Sequence, residues 1–111
     1  MKPYSFVAEG RPRSKQRPRM TRSGRTYTPK VTLDAEADLA SQYAGPEFIG
    51  PVQVEVLYVP TGQHITITPV DWTSKLTGDV DNMIKLTLDA LQKAQAFAND
   101  RQVVRVIGEK R

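Results

Sequence analysis

Two carboxylates one residue apart stand at Asp79 and Asp81, in the run Gly78-Asp79-Val80-Asp81-Asn82-Met83-Ile84-Lys85, and Asp100 follows further on. Hard oxygen donors of this kind are what Mg2+ takes beside phosphate. A few carboxylates plus a lysine are the inventory of metal-assisted phosphodiester hydrolysis. A plainer reading uses the same residues. Asp81 stands where the strongest helical pattern begins, so it can cap free N–H groups. Lys85 lies one turn on and Asp89 one turn beyond, an ion-pair ladder worth roughly 0.2–0.5 kcal/mol per pair. Three features favour the metal. A cap needs one acid, and Asp79 adds a second like charge, which costs energy unless a cation lies between them. Gly78 lets the backbone turn sharply or approach a ligand closely. The third feature is a basic arm that asks for phosphate.

That arm spans residues 11–30. Arg11, Arg13, Lys15, Arg17 and Arg19 occupy five successive odd positions, and Pro12 and Pro18 favour extended backbone. Alternate side chains of an extended chain share a face, so the cations form a stripe. Arg22, Arg25 and Lys30 extend the charge. Arginine matches phosphate with a planar fork, and neutralised phosphates release counterions, which makes binding salt-dependent. A solvated basic loop is the plain alternative, and the regular spacing with its prolines favours a phosphate track.

The elements that must hold these groups are legible in coarse form. Residues 4–8 alternate as a first strand, and 31–44 repeat Val31, Ala35 and Leu39 at helical spacing before Gly45-Pro46. Val52, Val54, Val56 and Tyr58 alternate as a strand, Pro60-Thr61-Gly62 is turn chemistry, and 65–68 alternate again, which suggests a hairpin. Residues 69–78 have no period and read as a loop. From Asn82 to Ala94, Ile84, Leu88 and Leu91 share one helical face. Val103-Val104-Arg105-Val106-Ile107 reads as a last, well-buried strand. The expected order is β-α-β-β-α-β: an α/β (α+β) fold, with two main helices packed on a single mixed β-sheet. A parallel crossover into the last strand is allowed.

Composition bounds the rest. The chain has 111 residues and a formal net charge of +4. That length suits a single domain over 1–111. Residues 1–30 hold nine basic side chains and one acid, Glu9, whereas the remainder is acidic on balance. A basic arm on an acidic body points to a polyanionic partner. The absence of cysteine excludes disulfides, thiolate zinc sites and a Cys nucleophile, and suits a cytoplasmic setting. No apolar run approaches the ~20 residues that span a bilayer, and no secretory signal is read at the N-terminus. His64, the sole histidine, reads as a surface residue of the hairpin and is given no role.

Taken together, Arg17-Pro18-Arg19 after Ser14-Lys15-Gln16, Asp79-x-Asp81-Asn82-x-x-Lys85, Leu88-Asp89-Ala90-Leu91 and Asn99-Asp100-Arg101-Gln102-Val103 resemble the RusA-type Holliday junction resolvases. The blocks come in the family's order, from about Phe6 to Lys110. The resemblance implies a small homodimeric α/β endonuclease that uses Mg2+ (or Mn2+), with no small-molecule cofactor, to nick two opposed strands of a four-way DNA junction. By position it implies Asp79, Asp81 and Asp100 as metal ligands and Lys85 as the catalytic lysine. Two departures stand out. Asn99 occupies a place where such sequences often carry a second acid. No aromatic residue directly precedes the acid pair; Trp72 is the nearest, and it reads as a core residue.

The expected chemistry is attack of water in line, leaving a 5′ phosphate and a 3′ hydroxyl, with Lys85 stabilising charge on the phosphoryl group or orienting the water. A helix over 82–94 carries the chain ~20 Å away. Residues 96–100, fully extended, recover roughly 17 Å at most. Asp100 therefore reaches Asp79 within one chain only tightly, or else completes a site across a dimer twofold; both arrangements stay open. The rivals are a non-catalytic DNA-binding protein and a related metal nuclease of flaps or forks.

Overall fold

The computed structural model describes residues 1–15 and 18–111. Arg17 of the basic stripe, with Gln16, lies outside the described residues. The chain divides into two compact units, Met1–Asp71 and Trp72–Arg111.

The first unit is built on three antiparallel strands, β1 (Tyr4–Glu9), β4 (Val52–Val59) and β5 (Gly62–Pro69), with β5 in the centre. Register puts Phe6, Ile65 and Val56 in one row and Tyr4, Ile67 and Val54 in the next. Directly opposed side chains share a face, so the alternation read in the sequence becomes one apolar face. Ile65, in the middle of it, is 9% exposed, and Ala8 is 1% exposed. On the other face Ser5 and Thr66 pair their hydroxyls at 2.9 Å, beside a row of Val7, His64 and Leu57. The β4–β5 hairpin turns on Pro60-Thr61 alone, with Val59 opposite Gly62.

Helix α1 (Lys30–Ser41) follows the arm. Just beyond it, Tyr43 stands edge-on to the rings of Tyr4 and Phe6, at 5.3 and 5.5 Å between centroids, a favoured aromatic geometry. Gln42 closes the end of β1: its Oε1 accepts from the Glu9 N–H at 2.7 Å and its Nε2 donates to the Glu9 carbonyl at 3.0 Å. One side chain thus satisfies both backbone groups of an edge-strand residue.

The arm is not all loop. Strands β2 (Arg19–Met20) and β3 (Thr26–Tyr27) pair antiparallel in a second small sheet. Thr21 organises the turn between them, its hydroxyl accepting from the Arg25 N–H at 3.1 Å while Gly24 adopts φ +86°. Short polar segments carry too little apolar period to announce a strand, and local turn bonds decided this one.

The second unit is helix α2 (Val80–Lys93), a 3-10 helix (Asp100–Gln102) and the chain that flanks them. The α+β class with two main helices stands, but the last strand does not form. Residues 103–107 make no ladder, and Val104 and Ile107 are 94% and 79% exposed. Every strand pair among the described residues is antiparallel, with no parallel crossover. A continuous apolar run has no period to distinguish a ladder strand from an extended segment. Here Gly108, just past the run, lies against Ile84 and Val80 of α2 so closely that a Cβ would collide with the Ile84 side chain.

α2 ends in a left-handed turn at Gln95 (φ 64°), with Gln95 N–H on the Gln92 carbonyl and Ala96 N–H on the Leu91 carbonyl. This is the Schellman arrangement, which usually places glycine where Gln95 stands. A side chain in that region costs roughly 1 kcal/mol. Gln95→Gly is therefore expected to stabilise the protein by up to ~1 kcal/mol, read as a higher denaturant midpoint at unchanged m-value.

Candidate active site

Asp79 is the residue that precedes the first turn of α2, with extended backbone (φ −89°, ψ 137°), and Asp81 lies within that turn. The cap position expected for Asp81 therefore belongs to Asp79, because the helix starts at Val80, two residues before its apolar period becomes visible. The side chain of Asp79 makes no capping hydrogen bond. Among the described residues the ion pairs are Lys15–Glu36 and Arg111–Glu109. The Asp81–Lys85–Asp89 ladder is not made. Two exposed carboxylates thus converge on the N-terminus of α2, where the helix dipole favours negative charge, and neither is in an ion pair among the described residues. Lys85 is exposed one turn further along.

The turn that presents these acids has its own support. Gly78 adopts φ +94°, a conformation that L side chains rarely enter. Its carbonyl accepts from Lys110 Nζ at 2.8 Å. Trp72, half-buried, donates its indole N–H to the Lys110 carbonyl at 3.3 Å and lies under the Arg111 guanidinium, 4.2 Å from ring centroid to Cζ. The core role expected for Trp72 is replaced by a clasp: it holds residues 110–111 beside the acidic turn. Nothing in composition or spacing signalled Lys110, since the contact spans 32 residues.

Asp100 opens the 3-10 helix behind Asn99. Asn99 accepts from the Arg101 N–H at 2.8 Å, and Gln102 Oε1 reaches back to the Asn99 N–H at 3.0 Å, a capping box. An amide caps as well as a carboxylate, so Asn at the place of a second acid keeps the local structure. Gln92, in the last turn of α2, donates to the Ala98 carbonyl at 3.4 Å and ties this segment to that end of the helix. Asp81 is eleven residues earlier than Gln92, ~16 Å along the axis. The structure accordingly brings Asp79 and Asp81 together on one turn and leaves Asp100 with the opposite end of α2. No group of three His, Cys, Asp or Glu side chains able to hold a metal occurs among the described residues. The donors suit Mg2+ in kind, being hard oxygens, with two in place and the third apart.

In the first unit, Arg11, Arg13 and Lys15 line an open cleft of about 370 Å³ with residues of α1, and Lys15 pairs with Glu36 at 3.3 Å. Arg19 lies on β2, while Arg22 and Arg25 flank the hairpin turn, and all six cations are exposed.

A basic hairpin arm, and an unpaired acid pair opening a helix with lysine one turn on, are the equipment of a protein that works on nucleic acid phosphates. The comparison with known families agrees and is specific. The family model described as Endodeoxyribonuclease RusA matches residues 9–111, and the chain belongs to the RusA family of endodeoxyribonucleases. These are hydrolases that cut within DNA and whose family activity is the resolution of Holliday junctions. No curated protein and no solved structure gave a match.

Proposed function

We propose that this protein resolves four-way DNA junctions by paired nicks in opposed strands, using Mg2+, with Mn2+ as a substitute. The observation that carries the reading is the acid pair itself. Asp79 and Asp81 share one turn, and neither the cap bond nor the ion-pair ladder that would explain them structurally is made. Nucleases of the family generally depend on a divalent metal.

Asp79 and Asp81 would hold the metal with Asp100 as the third acid. A bound metal there supplies a Lewis acid for the phosphoryl oxygens and lowers the pKa of water. Lys85 stabilises the charge that develops on the phosphoryl group. Arg11, Arg13, Lys15, Arg17, Arg19, Arg22 and Arg25 bind backbone phosphates and set the register of the duplex arms without reading sequence. A homodimer would offer two such sites to a twofold-symmetric junction. β4 is an edge strand with Val52, Val54, Leu57 and Tyr58 exposed, apolar surface that a second copy would cover. No helix among the described residues is long and apolar enough to cross a membrane.

The test is cleavage of a synthetic four-way junction in Mg2+ or Mn2+, beside fork and flap substrates of the same sequence. Paired nicks confined to the junction support the proposal. Binding without cutting in either metal would leave only a DNA-binding protein, and cutting confined to forks or flaps would replace the substrate. The arm has its own test. Arg19 and Arg22 together neutralise about two phosphates, so replacing both with Gln should lower the slope of log K against log salt by ~2. An unchanged slope removes the arm from the DNA interface.

A further inference from the structure

Lys110 touches the acidic turn at the one point where that turn is least constrained. Gly78 has no Cβ and adopts φ +94°, so the backbone leading into Asp79 has the greatest rotational freedom of any residue type. The Gly78 carbonyl and the Asp79 N–H belong to a single rigid peptide plane. A charge-assisted bond from Lys110 Nζ to that carbonyl, at 2.8 Å, fixes the direction of the plane. The direction of the plane in turn sets φ of Asp79, and with it the line along which the Asp79 carboxylate leaves the backbone.

Lys110 is itself held from both sides. Its carbonyl accepts from the Trp72 indole, Arg111 stacks on the same ring, and the Ser74 hydroxyl donates to the backbone oxygen of Arg111 at 3.1 Å. On its other side Gly108 sits against Ile84 and Val80 of α2, so close that a Cβ there would press on the Ile84 side chain. The ammonium is therefore anchored to the same helix whose first turn it steadies.

We propose that Lys110 is a positioning residue for the nuclease centre, holding the Gly78–Asp79 peptide so that Asp79 and Asp81 present their oxygens together. The proposal rests on the nuclease reading of that acid pair. It is tested with Lys110→Met, which keeps the stem and removes the donors, and Lys110→Arg, which restores them. In Lys110→Met the kcat for junction cleavage should fall about 10-fold, as expected for a misplaced reacting group, with KM changed less than about 2-fold. The amide resonance of Asp79 should move in Lys110→Met and return in Lys110→Arg, together with kcat. Emission of Trp72, the sole tryptophan, should stay at its wild-type wavelength in both, showing that the clasp remains docked.

An unmoved Asp79 amide, an unchanged kcat, or a failure of Lys110→Arg to restore both would overturn the proposal. So would a red shift of Trp72 in Lys110→Met, because the loss would then be one of docking. A wild-type protein that cuts no DNA would instead refute the nuclease reading, and the Asp79 amide would still report on whether Lys110 holds the turn.

Discussion

Asp81→Asn should abolish junction cleavage while leaving junction binding intact or tighter. The substitution keeps the shape of the side chain and its place in the first turn of α2, so folding is unaffected. What it removes is a hard anionic ligand and one negative charge from a site that must receive phosphate. Metal-assisted hydrolysis draws several kcal/mol of transition-state stabilisation from the ion. Losing ~4 kcal/mol of it lowers the rate about 10³-fold. Binding moves the other way, because a like charge facing the DNA backbone is gone. Gel-shift binding in Ca2+ and single-turnover cleavage in Mg2+ separate the two effects. Cleavage within a few-fold of wild type would exclude Asp81 from the centre.

The same assay settles where Asp100 acts. Asp100→Asn should also stop cutting if Asp100 is the third ligand. If each site takes Asp100 from the other protomer, mixing Asp81→Asn with Asp100→Asn regenerates one intact site per mixed dimer, and nicking returns. If each site belongs to one chain, both sites of the mixed dimer stay defective and nicking does not return. The position of Asp100 beside the C-terminal end of α2, tied there through Gln92 and Ala98, makes this the informative pair.

The second large effect concerns the scaffold. Gly62 begins β5 opposite Glu9 and Val59, and a Cβ there would run into the carbonyl oxygen of Ala8. That oxygen is backbone in the central ladder and cannot swing away as the end of a side chain would. Ala8 is 1% exposed, so the strand has no free space behind it. Gly62→Ala should therefore destabilise the protein by about 2 kcal/mol through overpacking. A urea titration would show this as a lower midpoint at unchanged slope. A midpoint equal to that of wild type would mean that β1 can shift outward at no cost. Gly108→Ala meets only the tip of Ile84 and should cost less.

Much of this was open to reading before any coordinates. Period-2 alternation at Val52, Val54 and Val56 and at Ile65 and Ile67 fixed a face and hence a hairpin register, because a slip of one residue would turn every apolar side chain to the wrong side. The amphipathic period of Ile84, Leu88 and Leu91 located α2, although its first turn begins before that period does. The five-residue run Val103 to Ile107 misled: apolar content alone does not state whether a segment pairs in a ladder or lies along a helix.

The chemical inventory belongs to the sequence by itself: a stripe of cations with proline spacing, two acids flanking one residue, and a lysine one helical turn on. Side-chain type and i,i+4 spacing are local properties, and local properties survive without a fold. Only the tertiary structure decided that Asp79 rather than Asp81 ends the turn, that Asn99 caps a 3-10 helix, that Asp100 stands apart from the acid pair, and that Lys110 reaches Gly78. The last two depend on how the chain reverses at Gln95 and returns along α2. That return is held by contacts between residues distant in sequence, Lys110 with Gly78 and Gly108 with Ile84, whose energies no single stretch of the chain contains.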